Sequence, residues 1–253
     1  MRIIKTIRQW RAVRRGLEKK GLSLGFVPTM GALHDGHASL VRRSAGENDV
    51  TLVSVFVNPT QFNDKRDLNR YPRTPKKDAA LLKSCGADYM LSPEFGELYP
   101  DDYRYRVSEN RDSLVLCGAH RPGHFDGVLT VVMKLLNIAG ADNAYFGEKD
   151  YQQYMLVKGM AEAFFMRTRI VPCEIVRESD GLALSSRNRL LAERDRERAP
   201  LFHRHLSAGG DAKHSRRMLE KEGFAVDYVE EKWGRRLAAI NLGGVRLIDN
   251  VEI

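Results

Sequence analysis

The sequence predicts an α/β fold, a doubly wound parallel sheet with a smaller α+β C-terminal domain. Three observations lead there. Short apolar runs alternate with helical patterns from residue 23 to residue 176, the rhythm of a parallel sheet covered on both faces. The run Val50–Val57 is Val, Leu and Phe with few polar breaks, as expected for a strand buried on both sides. Past residue 177 the chain turns polar and rich in arginine. We therefore expect two domains, 1–176 and 177–253, which suits a chain of 253 residues.

The elements follow in order. Thr6 precedes Ile7, Trp10, Val13 and Leu17, a capping residue ahead of an apolar stripe at helical spacing. Its arginines and lysines fall on the opposite face, which reads as a solvated surface. Residues 23–29 form the first apolar strand, and a turn with glycine leads to a helix through Ala38–Ser44. Strand 50–57 comes next. Thr74-Pro75 opens a helix, with a capping residue followed by proline at the first helical position. That helix ends near Cys85-Gly86, and Tyr89–Leu91 is the next strand. Residues 92–125 are richer in turn formers. A helix over 126–138, a strand over 143–146, a helix over 150–164 and a strand over 169–176 complete the larger domain. In the smaller one we expect helices at 192–206 and 211–222 and strands at 226–229 and 245–248.

Composition narrows the function. The chain is 43% hydrophobic and 29% charged, too apolar for a disordered protein. No apolar run reaches the length of a bilayer span, and the basic N-terminus lacks the apolar core of a signal peptide. Cys85, Cys117 and Cys173 show no CxxC spacing and read as buried thiols in a reducing compartment. We therefore expect a cytoplasmic protein with no membrane partner. The net charge of +8 raises the question of a polyanionic partner. It is unevenly spread: residues 1–20 carry +7, residues 187–236 carry +4, and the remainder is slightly acidic. No nucleic-acid-binding signature is present, so we expect no nucleic-acid partner.

The chemistry concentrates at strand-to-helix junctions. After the first strand comes Pro28-Thr29-Met30-Gly31-Ala32-Leu33-His34-Asp35-Gly36-His37, an HxGH motif. A helix N-terminus offers unpaired N–H groups and a positive dipole end, so phosphates settle there. Gly31 and Gly36 let the backbone approach a ligand, and His34 and His37 can donate to phosphate oxygens as charge develops. Tyr145–Gln153 contains Gly147-Glu148-Lys149-Asp150 at another junction. There Lys149 is a point charge for phosphate, and Gln153 lies about one turn into a helix and can face the cleft. Leu184-Ser185-Ser186-Arg187 places two hydroxyls beside a planar, permanently charged fork, in a loop able to act as a lid. Asn58-Pro59-Thr60-Gln61-Phe62 sits at a third junction, where Gln61 can hold a small polar substrate. Arg121, in Arg121-Pro122-Gly123-His124 ahead of the 126–138 helix, can pair with a carboxylate.

Together these stretches resemble the pantoate–β-alanine ligase family. FVPTMGALHDGH, VFVNPTQF, YPRT, HRPGHFDGV, FGEKDYQQ and LSSRN occur in that family's order. HxGH alone is shared with many nucleotidylyltransferases and class I aminoacyl-tRNA synthetases, whereas the set is far more specific. The resemblance is close from about residue 3 to 192, weak from about 199 to 244, and returns at Arg246–Asn250. It implies a Rossmann-like nucleotide-binding domain and a homodimer. It implies that ATP, brought with Mg²⁺, activates (R)-pantoate as an acyl adenylate that β-alanine then attacks. By resemblance, Met30, Gly31, Ala32, Leu33, His34, Asp35, Gly36 and His37 line the ATP site, with His37 the proton donor. Gly147, Glu148, Lys149, Asp150, Val176, Leu184, Ser185, Ser186 and Arg187 also hold ATP. His34, Lys149 and Arg187 join His37 in catalysis. Gln61 and Gln153 take pantoate, and Gln61 also β-alanine. Where some members have an acidic run after YPRTP, this chain has Lys76-Lys77-Asp78, so no protein-held metal is expected. The rival enzymatic reading is an adenylyl- or cytidylyltransferase that stops after nucleotidyl transfer. The paired glutamines favour a small carboxylate substrate.

Overall fold

A computed structural model describes the whole chain, Met1–Ile253. Six parallel strands form the larger sheet: β1 (Arg2–Ile4), β2 (Leu24–Thr29), β3 (Val50–Val55), β4 (Tyr89–Leu91), β5 (Asn143–Gly147) and β6 (Arg169–Cys173). Their order is β1-β4-β3-β2-β5-β6, so the direction of winding reverses between β2 and β5. Ligands settle outside the carboxyl ends of strands at such a reversal, and the HxGH and GEKD stretches both begin there.

The strand pattern explains the two covered faces. Leu24, Phe26, Val50 and Leu52 belong to one apolar cluster, and Val27 and Val53 to another on the opposite face. Against the first face pack α1 (Ile7–Lys19), α7 (His124–Ala139) and α8 (Tyr151–Ala163). Against the second pack α2 (Asp35–Glu47) and α4 (Pro75–Ser84). Short helices α3 (Lys65–Arg70), α5 (Phe95–Leu98) and α6 (Cys117–His120) punctuate the connections.

Helix α1 forms as its spacing predicts. The Thr6 side chain accepts from the N–H of Gln9, Trp10 is fully buried, and its indole donates to the carbonyl of Ile138 at 2.9 Å. Arg8, Arg11 and Arg15 are exposed, so the basic face is a solvated one. Helix α4 starts at Pro75 as predicted, but Thr74 does not cap it with a side-chain bond to backbone. Its hydroxyl donates instead to the Asp78 carboxylate at 3.0 Å.

The C-terminal part holds α9 (Glu193–Arg198), α10 (Pro200–Ser207), α11 (Ala212–Lys221) and an antiparallel sheet of β7 (Ala225–Lys232), β8 (Arg235–Leu242) and β9 (Val245–Glu252). The single helix expected over 192–206 is two, because Pro200 has no N–H to continue the first. The central strand β8 is missing from the sequence reading, since its leading Arg235-Arg236 looks like surface. Both arginines are buried: Arg236 donates to the carbonyls of Leu206 and Ala208, and Arg235 to the Asn250 side chain. Trp233-Gly234 and Gly243-Gly244 have positive φ throughout, the requirement of two-residue hairpin turns. Strand β1 also lies outside the sequence reading, and β3 and β6 are shorter than expected. The three cysteines are free and buried, as expected. No helix is long and apolar enough to cross a membrane.

One close approach fixes two motifs together. A Cβ built on Gly127 of α7 would lie 2.4 Å from the Thr60 carbonyl oxygen and 2.7 Å from the Gln61 nitrogen. Gly127→Ala should therefore push α7 off the 58–61 turn, with an overpacking cost of about 1–3 kcal/mol. Gly159, inside α8, has nothing within 4 Å of a built Cβ, so Gly159→Ala should stabilise by roughly 0.5–1 kcal/mol. Thermal melts of the two variants should move in opposite directions.

Candidate active site

The site is built from the loop after β2. Gly31 and Ala32 take left-handed φ values of 80° and 51°, which turns the chain sharply from strand into helix. A non-glycine residue in that region is disfavoured, so something must hold it. Asp78, almost fully buried, does so. Its carboxylate accepts from the N–H of Ala32 at 3.1 Å and of Leu33 at 2.9 Å. No short sequence pattern joins Asp78 to a loop 45 residues away.

The loop delivers both histidines to the start of α2, with ring centroids 4.1 Å apart. His34 is the N-cap, and its Nδ1 accepts from the N–H of Gly36 at 3.2 Å. His37 Nδ1 accepts from the N–H of His34 at 3.4 Å. An imidazole whose Nδ1 accepts must carry its proton on Nε2 when neutral. Both rings are indeed kept neutral. Burial, then the charges of Lys149 and Arg189, lower the pKa of His34 to about 4. Burial and the neighbouring His34 lower that of His37 to about 3. Each ring thus keeps one free Nε2–H donor. The sequence suggests donors to phosphate, and the structure adds that they are neutral.

Two connected cavities form the cleft. The smaller, about 220 Å³, is lined by Met30, His34, Gly36 and His37, by Gln61, by Gly147, and by Val176 and Leu184. The larger, about 560 Å³, lies between the C-terminal sheet and the segments around Arg121 and Lys149. Lys149, Asp150, Gln153, Ser185 and Arg187 border both, and Ser186 borders the smaller. Gly31, Ala32 and Leu33 are buried beneath the cleft wall, where they shape the loop. Asp35 faces solvent at the first turn of α2. Glu148 lines neither cavity and turns its side chain to Arg235, 3.2 Å away.

Each remaining side chain has a local reason for its place. Gln61 is buried, its Oε1 accepting from Asn58 and its Nε2 donating to the Met30 sulfur. Gln153 borders both cavities in the first turn of α8, while the neighbouring Gln152 is structural and bonds backbone at Asp112, Val115 and Cys117. Lys149 lies 3.7 Å from Asp150. Burial works against ionisation of Asp150, but Lys149 and Arg187 outweigh it and hold the carboxyl below its usual range. Ser185 Oγ accepts from the N–H of Arg187, whose guanidinium reaches Asp67 at 3.0 Å. The carbonyl of Val176 accepts from Leu184. The 184–187 loop is thus pinned at several points. Asp67, Asn58 and the apolar wall of Val128, Val131, Val132 and Leu135 are site residues that sequence reasoning misses.

The echo at Arg246–Asn250 also gains a meaning. Asn250 on β9 donates to the carbonyls of Glu148 and Lys149 at 2.8 and 3.2 Å. The small sheet is therefore hydrogen-bonded directly to the GEKD turn.

The family model described as pantoate-beta-alanine ligase matches residues 2–252. The chain is 49% identical over 251 residues to pantothenate synthetase of Bdellovibrio bacteriovorus, covering 99% of each chain. It is 48% identical to that of Legionella pneumophila, again covering 99% of each. Among solved structures, pantoate-beta-alanine ligase of Francisella tularensis, complexed with beta-gamma ATP and beta-alanine, superposes with a TM-score of 0.94. The identity is 41%, covering 100% of this chain and 97% of that one. The Thermus thermophilus enzyme gives 0.91 at 39% identity, covering 100% and 99%. The likeness runs through residues 199–244, where the motifs alone are weak. The chain belongs to the pantoate–β-alanine ligase family.

Proposed function

We propose that this cleft joins (R)-pantoate to β-alanine at the expense of ATP, through a pantoyl-adenylate intermediate. The observation that carries the residue assignment is the smaller cavity. There His34, His37, Gln61, Lys149, Gln153 and Arg187 converge from separate stretches of the chain. A carboxylate is a poor acyl electrophile because its leaving group would be oxide. Adenylation replaces that leaving group with AMP.

In this reading the triphosphate lies at the N-terminus of α2. The Nε2–H groups of His34 and His37 donate to its oxygens as negative charge builds during attack by the pantoate carboxylate. Their neutrality suits a hydrogen-bond donor that keeps its proton throughout. Lys149 supplies a point charge and Arg187 a fork for the departing pyrophosphate. Met30, Gly31, Ala32, Leu33, Asp35 and Gly36 form or support the wall. Gly147, Glu148, Asp150, Leu184, Ser185 and Ser186 complete the nucleotide site, and Val176 offers its backbone to adenine. Gln61 and Gln153 hold pantoate through their amides, with Val128, Val131 and Val132 against its methyl groups. Gln61 also meets β-alanine. The groups position and stabilise, so no covalent nucleophile is required.

No three His, Cys, Asp or Glu side chains are grouped to hold a metal ion. The donor set therefore fits Mg²⁺ that arrives on the phosphates and keeps several waters; when bound it neutralises phosphate charge. A homodimer and a cytoplasmic location follow from the family resemblance, and the segment-wise charge supports a reading without nucleic acid. We divide the chain into a nucleotide and pantoate domain, 1–176, and a C-terminal domain, 177–253. The separate apolar cluster around Phe202, Leu219 and Ile240 supports that division.

Release of AMP that needs both pantoate and β-alanine tests the overall reading, and release without either would reject it. His37→Ala should slow single-turnover adenylation by roughly 10²–10³-fold. An unchanged rate would remove His37 from the chemistry. Gln61→Ala should weaken pantoate binding in calorimetry and leave ATP affinity nearly intact. Burial, followed by Arg121, also lowers the His124 pKa to about 3, so three histidines titrate lower folded than unfolded. Between about pH 6.5 and 4 the unfolded chain binds more protons at these sites. Their contribution to stability is complete above pH 6.5 and is lost as pH falls. Melting temperature should drop over that window, and His37→Gln should make the drop shallower.

A further inference from the structure

The NPTQF and RPGH turns are one interlocked unit. His124 Nδ1 donates to the Gln61 carbonyl at 2.8 Å. Asn58 donates to the Gly127 carbonyl at 3.1 Å, and Asn63 to the Pro122 carbonyl at 2.6 Å. Gly127 lets α7 touch the Thr60 backbone. The product of this interlock is the placement of Arg121. One guanidinium nitrogen lies 3.0 Å from His124 Nε2, and another donates to the Gln61 carbonyl at 3.3 Å. A protonated nitrogen of Arg121 must donate to that Nε2, so His124 is neutral with its proton on Nδ1.

Arg121 differs from the other arginines of the cleft, which are either exposed, as Arg66 and Arg70 are, or paired. Arg187 pairs with Asp67 at 3.0 Å, and Arg246 with Asp227 at 2.7 Å. Arg121 has no acidic group within salt-bridge reach, although it is largely shielded from water. Burial, then the like charges of Arg187 and Arg246, pull its pKa down to about 10, a cation without its anion. It lines the larger cavity and not the smaller one that holds His34, His37 and Gln61. A desolvated fork with no counter-ion, fixed beside a substrate cleft, recognises a planar anion. The reaction brings two carboxylates. That of pantoate reacts and belongs in the smaller cavity. That of β-alanine does not react and needs a fixed partner if the amine is to be aimed.

We propose that Arg121 is the carboxylate subsite for the amine substrate, and that His124 is a positioning residue tying it to the Gln61 turn. The inference rests on the ligase reading above. It makes selectivity among amines a property of one charge. The enzyme requires a carboxylate at the far end of the amine, and the Arg121–Gln61 tie sets its distance from the acyl carbon. A phosphate group of the nucleotide offers similar chemistry to a guanidinium, so the test separates the two sources.

The experiment compares Arg121→Met, Arg121→Lys and His124→Asn with the parent enzyme, each first checked for an unaltered melt. Two reactions are followed: pantoate-dependent exchange of pyrophosphate into ATP, and full turnover with β-alanine or with its uncharged amide. The parent should strongly prefer β-alanine. Arg121→Met should raise the KM for β-alanine by roughly 10- to 100-fold, as expected for losing a charge-assisted contact. It should erase the preference over the amide, while exchange stays within about threefold of the parent. Arg121→Lys should recover part of the preference. His124→Asn should raise the KM for β-alanine more than it lowers kcat, the mark of misplaced binding. Retained preference in Arg121→Met overturns the proposal. Loss of exchange by the same factor as turnover also overturns it and assigns Arg121 to phosphate. A parent without pantoate-dependent exchange sinks the ligase reading itself.

Discussion

The pair of bonds from the Ala32 and Leu33 N–H groups to the Asp78 carboxylate is the constraint on which the site depends. The turn after β2 has to run through two consecutive left-handed residues, one of them alanine. Left alone, that backbone relaxes and takes the start of α2 with it. Asp78 is buried, so its charge and the two N–H groups need each other, and losing the carboxylate strands both donors at about 1–3 kcal/mol each. His34 caps α2 from the place this turn sets, and His37 accepts from the His34 N–H. The placement of both imidazoles thus follows from one buried carboxylate. Thr74 explains the carboxylate in turn. A residue suited to capping α4 gives its hydroxyl to Asp78 instead, so a helix cap yields to a loop clamp.

Electrostatics is organised on the same local scale. The chain carries +8, yet the exposed arginines of α1 and the surface of the C-terminal helices account for the excess. Within the cleft, Arg121 apart, the positive groups nearest the two histidines are balanced or neutralised. Lys149 sits near Asp150, and Arg187 pairs with Asp67. The two histidines, close to Lys149, stay uncharged because a buried imidazolium there would be both desolvated and repelled. The cleft thus offers placed donors rather than a diffuse positive field. The strength of such a site comes from preorganisation, which net charge does not report.

Much of this was legible in the sequence, for a physical reason. Strand-to-helix junctions are short and local, so HxGH, GEKD and LSSR each place their chemistry within about ten residues. Parallel strands buried on both faces announce themselves by composition. The parts that stayed hidden all depend on partners far apart in the chain. Asp78 reads as an ordinary helix residue until Ala32 and Leu33 fold onto it. Strand β8 opens on two arginines that look like surface, and the carbonyls of Leu206 and Ala208, the side chain of Asn250 and the carboxylates of Glu231 and Glu148 make their burial tolerable. The positive-φ pairs Trp233-Gly234 and Gly243-Gly244 were the available signal for that strand.

The docking of the small sheet shows how the two halves of the chain share one task. Asn250 satisfies the carbonyls of Glu148 and Lys149, and Arg235 pairs with Glu148. These bonds hold the wall of the larger cavity against the turn that carries Lys149. An acyl adenylate is prone to hydrolysis, so a cleft that makes one must limit water before the amine arrives. Closure by a freely hinged domain would achieve this only during part of each cycle. Here β9 is tied to the GEKD turn, and the 184–187 loop is pinned by Asp67 and Val176, with the adjoining Asn188 held by Glu178. Fixing the wall by hydrogen bonds to backbone makes it independent of which side chains the ligand contacts. Glu148, at the start of that turn, anchors the wall through its contact with Arg235.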